Sequence, residues 1–181
     1  MADAPEGTVV IAGEQTAGKG RRGRKWSSPP GEGLYLSIVL RPQLPFHKLW
    51  QMAFVISLAA CEAIRQVSGL DARIKWPNDI LIEGRKVCGI LIETRGYVVA
   101  GIGINVNNQS FPSDLRATSI AIELGRTLPV SEMESALLDG IDARYSQFLS
   151  QGFPPILEAW KAPKLHNEPP NEVDLVSGRV I

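Results

Sequence analysis

Ile80 to Ile104 reads ILIEGRKVCGILIETRGYVVAGIGI, and the fold class turns on this stretch. Ile80–Ile82 and Lys86–Thr94 are rich in apolar and β-branched residues and flank Glu83-Gly84, and Tyr97–Ile104 follows the Arg95-Gly96 turn. Strand-like runs separated by short glycine turns are hairpins. The spacing therefore predicts consecutive antiparallel strands. Upstream, Thr8–Ala12 (TVVIA) and Leu34–Leu40 (LYLSIVL) predict two more strands, and Ala72–Lys75 a brief one. Lys48–Val67 carries apolar residues at helical spacing on more than one side, which predicts a helix buried on several faces and ended by Ser68-Gly69. Ser131 and Glu134 have the spacing of a capping box just after Pro129, opening a helix to about Ser150 through Leu137, Leu138, Ile141, Tyr145, Phe148 and Leu149. A short helix over Pro154–Lys161 follows, then a Pro163–Pro170 linker and a β element over Val173–Ile181. Strands and helices do not alternate regularly, so the expectation is α+β: a mixed, largely antiparallel sheet with packed helices, not a doubly wound sheet.

The 181 residues carry 19 basic and 19 acidic side chains, and 44% of them are hydrophobic. That composition is ordinary for one globular domain with a real core. Zero net charge argues against a general nucleic-acid coat and leaves room for one local basic patch. Two cysteines, Cys61 and Cys88, without CxxC spacing supply neither a disulfide framework nor a zinc site, so a reducing, cytoplasmic setting is the default expectation. The uncharged, largely apolar stretch Leu49–Cys61 has 13 residues, too short for a membrane span, which needs about 20. His47 and His166 lack a nucleophile partner motif and read as surface residues.

The chemistry is concentrated in Gly18–Gly33, which holds five glycines, two prolines and five cations. Gly13–Lys19 fits most of a P-loop, but Gly20 stands where a magnesium-binding Ser or Thr belongs. Gly18–Gly23 fits GxGxxG. Both motifs need a helix to open at once, and Gly20, Gly23, Pro29 and Pro30 forbid it. What is left is a flexible loop whose free amides lie among Lys19, Arg21, Arg22, Arg24 and Lys25, chemistry that suits a polyanion. A solvated basic loop or a nucleic-acid contact are the alternatives. Trp26 offers a ring to stack, or a core side chain.

GKGRRGRKW (Gly18–Trp26), KWPNDILI (Lys75–Ile82), GRKVCGILIE (Gly84–Glu93) and GIGINVN (Gly101–Asn107) occur in the order and near the spacing found in biotin protein ligases. The chain resembles the catalytic domain of that family over about Thr8–Trp160. The resemblance implies a fold related to class II aminoacyl-tRNA synthetases. It also implies a reaction: biotin and ATP, with Mg2+, give biotinyl-5′-AMP, and biotin then passes to a lysine of a biotin carboxyl carrier domain. By resemblance, Gln15 contacts the ureido ring, and Gly18, Lys19, Gly20 and Arg21 close over biotin and the adenylate phosphate. The family commonly has Arg where this sequence has Lys19, so a two-pronged contact is lost. Lys86 bridges the biotin carboxylate and α-phosphate, with a strand-edge surface lysine as the alternative. Asp79 holds magnesium, with Lys75 and Asn78 in support, unless Lys75 and Asp79 form a simple ion pair. Trp26 and Asn105 lie by the nucleotide. Gly89 and Gly101 lie beside the bicyclic ring, or mark bulges. Cys88 reads as a buried thiol.

The family's Ser-Thr-Asn/Asp element does not precede Gln15, and the sequence stops where a small C-terminal β-domain begins. The expectation is thus a catalytic domain over 1–163 lacking its N-terminal part, then a linker and the start of that β-domain over 164–181. Activity is expected of the full-length gene product, and weak activity or none of this segment alone. A homodimer is possible within such a family, whereas no nucleic acid or membrane is expected as a partner. A lipoate protein ligase, which shares fold and adenylation chemistry, and an inactive homologue are the other readings.

Overall fold

The structure is a computed structural model that describes residues 3–162 and the strand residues 173–174 and 179–180. Six strands form one sheet: β1 Val9–Ala12, β2 Gly33–Leu40, β3 Arg73–Lys75, β4 Asp79–Ile82, β5 Arg85–Thr94 and β6 Val98–Asn105, in the spatial order β1-β2-β6-β5-β4-β3. Every neighbouring pair is antiparallel, as the successive turns predict. The β4–β5 turn has positive φ at both Glu83 and Gly84, the primed geometry that matches strand twist.

Side chains alternate across β2, β5 and β6. Leu34, Leu36, Ile38, Ile90, Val98, Ala100, Ile102 and Ile104 are buried in a common core with helix α1, Met52–Ser68. Nearly all of α1 from Met52 to Ile64 is buried, because helix α3 (Val130–Gln151) packs on its other side. The two helices approach closely where Gly140 meets the Ala59 carbonyl; a Cβ at Gly140 would lie 3.3 Å from that oxygen. Gly69, at φ +70, ends α1 by donating its N–H to Arg65. Helix α4 (Phe153–Trp160) completes this layer, joining Trp50, Phe54, Trp76, Phe153 and Trp160 in one aromatic cluster of edge-on and tilted pairs.

Several expectations need correction. The segment expected to begin a helix at Lys48 runs first as a 3₁₀ turn, Phe46–Gln51, and the α ladder starts at Met52. No capping box forms: α3 begins at Val130, with Pro129 at the cap and no side-chain cap bond. Ser131 is then already inside the first turn. Leu149, counted with the apolar face, is exposed. A short helix, α2 (Ile120–Leu124), went unpredicted despite good signals: Ser119 caps it through Ile122 N–H, and Gly125 ends it at φ +68. The Pro163–Pro170 linker and His166 lie outside the described residues. Strands β7 (Val173–Asp174) and β8 (Arg179–Val180) pair within the expected β element. Among the described residues no helix is long and apolar enough to cross a membrane.

Candidate active site

The face of the sheet away from α1 is built, in β2, β6 and β5 beyond Cys88, from odd-numbered residues. Registers place Gly103 between Tyr35 and Gly89, and Gly101 between Ser37 and Leu91. The centre of this face is therefore low, walled by Tyr35, Ser37, Leu91, Glu93 and Val99, all of which line one cleft. Trp26 lies over the two facing glycines. A Cβ at Gly103 would come within 2.5 Å of the indole, and one at Gly89 within 2.7 Å. Glycine at these positions is what lets a flat ring rest on backbone.

Plain alternation would put Lys86 on the opposite, helix-covered face. It does not, because the β4–β5 register slips between Ile80 and Leu81: Ile80 faces Cys88 and Leu81 faces Lys86, leaving Val87 as the extra residue. Such a bulge re-aims the side chains beside it. Val87 and Cys88 are both fully buried, and Lys86 turns into the cleft. The strand backbone at Lys86 stays paired, because its N–H donates to Arg116 and its carbonyl accepts from Thr118. The slip falls at Val87, so neither Gly89 nor Gly101 is a bulge.

The glycine-rich segment folds as a narrow hairpin over this cleft. Gln15 bridges Ser28, Lys19 bridges Lys25, and the Trp26 N–H donates to the Gly18 carbonyl. Its tip is a 3₁₀ turn, Arg21–Gly23, with Arg22 and Gly23 both left-handed, at φ 57 and 74. No helix follows, so the P-loop and dinucleotide readings fail in the structure for the reason the sequence suggests.

A polar chain ties hairpin to sheet. Arg21 Nη1 donates to Asn78 Oδ1 (2.7 Å), Asn78 Nδ2 donates to Asp79 Oδ1 (3.1 Å), and Lys86 Nζ pairs with the same oxygen at 2.7 Å. Lys86 Nζ also stands 5.2 Å from the Trp26 ring centre, within cation–π range. The Lys86–Asp79 pair is about one-third exposed, so solvent screens it and it adds little to stability. Its consequence is local: Lys86 is held at the cleft with its charge matched. Buried Trp26 Nε1 has no acceptor among the described residues, a cost of about 1–3 kcal/mol that a ligand's acceptor, or movement of the ring, relieves.

Burial pushes the Cys88 thiol well above its ordinary range, and Lys86 only partly offsets this. Cys88 is a core thiol and no nucleophile. Burial, and then the Glu32 carboxylate, push the Tyr35 phenol up to about 12, so its hydroxyl stays protonated and donates to the Pro29 carbonyl at 3.0 Å.

The sequence and the fold that carry this cleft have counterparts among known proteins. The model of the biotin/lipoate A/B protein ligase family matches residues 1–107. The chain belongs to that family. It is 40% identical over 170 residues to the bifunctional ligase/repressor BirA of Bacillus spizizenii, covering 88% of this chain and 52% of that protein. It is 37% identical over 166 residues to the biotin–[acetyl-CoA-carboxylase] ligase of Paracoccus denitrificans, covering 84% and 69%. Among solved structures, biotin protein ligase from Aquifex aeolicus in complex with biotin and ATP matches with a TM-score of 0.81 at 32% identity, over 88% of this chain and 69% of that one. The chain spans about half the length of the first curated relatives it matches. The α+β fold with its antiparallel sheet and packed helices is that of the ligase catalytic domains.

Against this family frame, nine of the residues singled out in the sequence share one cleft: Gln15, Lys19, Gly20, Arg21, Trp26, Asn78, Lys86, Gly89 and Gly101. Gly18 lines the adjoining hollow along the hairpin, and Asp79 joins through Lys86. Two stand apart. Lys75 is exposed on β3, opposite Asp79 in register, yet the Asp79 carboxylate pairs with Lys86 instead. Asn105 is buried, and its Nδ2 donates to the Thr118 carbonyl. Gly101 also proves less confined than expected, since a Cβ there meets nothing closer than 3.7 Å; the tight position is Gly103, which was missed. Strict alternation along β6 would have found Gly103, and along β2 Tyr35 and Ser37.

Proposed function

We propose that this cleft activates biotin with ATP and passes it to a lysine of a biotin carboxyl carrier domain. In the first step a biotin carboxylate oxygen attacks the α-phosphorus of ATP, and the bond to pyrophosphate breaks with its electron pair. In the second, the acceptor amine attacks the acyl carbon, AMP leaves with the anhydride oxygen, and the amine loses a proton. The obstacle in the first step is charge, because one anion must approach another.

Three cations converge where that charge builds. Lys86 neutralises the carboxylate and the transferring phosphoryl oxygens. Lys19 and Arg21 close from above, with Arg21 aimed by Asn78. Gln15 meets the ureido ring, and Trp26 and Asn78 serve the nucleotide. The donor set at Asp79 fits magnesium: Mg2+ ordinarily takes one or two carboxylates plus phosphate oxygens and water, and no cage of three or more His, Cys, Asp or Glu occurs among the described residues. Asp79 would hold the ion, which would neutralise phosphate charge. The observation that carries the reading is the meeting of Lys86 with the Lys19–Trp26 hairpin over facing glycines. The named relatives are biotin ligases, so lipoate is not favoured.

The test is biotin-dependent exchange of labelled pyrophosphate into ATP by the full protein. Lys86→Ala is expected to lower the exchange rate by about 10²–10³, the usual effect of deleting one preorganised donor to developing charge. A rate within about twofold of the parent would reject that role.

A further inference from the structure

The wall of the cleft at Gln15 contains a buried hydroxyl that the proposed chemistry does not use. Ser28 is 6% exposed, and its Oγ donates to Gln15 Oε1 at 2.7 Å. The two residues are also bridged through the backbone, Gln15 N–H to the Ser28 carbonyl at 3.1 Å. The next residue is fixed to the sheet, because the Tyr35 hydroxyl from β2 donates to the Pro29 carbonyl. Gly18 closes the third side: a Cβ there would lie 3.0 Å from both Gln15 Oε1 and Ser28 Oγ. Ser28 is therefore tied at the hairpin's neck on both sides, packed against an otherwise exposed glutamine.

A glutamine amide has an acceptor end and a donor end, and rotation about its last bond exchanges them. The Ser28 hydroxyl engages Oε1 and leaves Nε2 without a partner among the described residues. We propose that Ser28 is a positioning residue for the bound ring, fixing the amide of Gln15 so that its Nε2 donor meets an acceptor on the ligand's polar ring. The inference rests on the reading of the cleft as a biotin site and adds the device that orients its ring contact. Ser28 touches no reacting atom and acts only through Gln15.

A double-mutant cycle tests this, reading biotin affinity by calorimetry and KM for biotin and ATP separately in the full protein. Ser28→Ala is expected to weaken biotin about fivefold to tenfold, the worth of one well-placed hydrogen bond, with the KM for ATP unchanged. Ser28→Thr, which keeps the hydroxyl, restores it. In a Gln15→Ala background, Ser28→Ala has no further effect. Equal losses in both backgrounds, or parallel losses for biotin and ATP, would mean a merely structural serine and overturn the inference. So would a Ser28→Ala protein that binds biotin as its parent does. If the parent protein fails to bind biotin at all, the functional reading falls and takes the inference with it.

Discussion

Lys86 owes its place to one extra residue. Had β5 alternated without a slip, its amine would point at α1, where an unpaired charge cannot stay. The bulge at Val87 turns it to the cleft, and segment 116–118 pairs with the Lys86 backbone, the Arg116 carbonyl accepting and the Thr118 N–H donating. The motif GRKVCGILIE marks this lysine by resemblance, but nothing in its apolar pattern shows the slip, since Val87 and Cys88 are both apolar and both buried. The glycines were legible in part. Gly89 was singled out, whereas Gly103 shares a face with Gly101 by alternation, and its confinement shows only once the register sets it opposite Gly89 under Trp26. Their different confinement has a consequence at residue scale. Gly103→Ala drives a methyl group into the indole, while Gly101→Ala meets only ordinary contacts. Gly103→Ala is expected to lift the hairpin and speed trypsin cleavage among Arg21, Arg22, Arg24 and Lys25 by about threefold or more, in line with a local opening made easier. Gly101→Ala should leave the cleavage rate as it is. Equal rates in the two variants would contradict the packing of Trp26 on Gly103.

Among the elements, the hairpin of residues 15–28 is the one least held by the core. Its ties are the bridges at its neck, the Arg21–Asn78 bond and the Trp26 ring on the sheet. Its glycines and prolines announced a loop without a helix, and that much was legible. That it lies over β5 and β6 was not, because the contact joins residues far apart in the chain through backbone surface, which leaves no pattern in the sequence. Nor was the α3 start, where a good Ser131/Glu134 pair lost to Pro129 at the cap. The hairpin account predicts a spectroscopic signal. Trp26 sits with a buried, unpartnered N–H and a cation over its ring, so biotin together with a non-hydrolysable ATP analogue is expected to change tryptophan fluorescence by about a tenth or more, each fluorophore reporting its local polarity. Trp26→Phe should abolish that change although Trp50, Trp76 and Trp160 remain. A change that survives in Trp26→Phe would place the response elsewhere.

Across the whole molecule, the helix-covered half of the sheet is a dry core and the opposite face is the site. Burial of three core groups and of Tyr35 on the cleft face imposes a pH limit. Burial raises the Cys61 thiol and the Tyr35 phenol to about 12, and lifts Cys88 and Tyr145 further still, Tyr145 with help from its bond to Glu6. Ordinary values are 9.0 for the thiols and 10.0 for the phenols. Above about pH 9 the unfolded chain gives up these protons before the native state does, so the unfolded state binds fewer and stability falls as pH rises. Each group contributes up to about 1.4 kcal/mol per pH unit beyond its ordinary value. Urea midpoints are expected to hold from about pH 7 to 8.5 and to drop steeply by about pH 10.5; a flat profile would contradict the burial of these four groups. The antiparallel α+β architecture was legible from hairpin turns and helical spacing, because both are local patterns. The division into a dry face and a working face was not, because it depends on which side of the sheet α1 and α3 cover.

The account stands on the claim that the cationic hairpin and Lys86 close on the same anhydride above Gly89 and Gly103. A crystal structure of the protein with biotinyl-5′-AMP measures this directly. The predicted result has phosphate oxygens within hydrogen-bond distance of Lys86 Nζ, the Lys19–Arg21 backbone folded over them, and Trp26 displaced from its place on Gly103 or bonded to the ligand through Nε1. An adenylate bound away from this face, with Lys86 still paired to Asp79 and Trp26 unmoved, would contradict it.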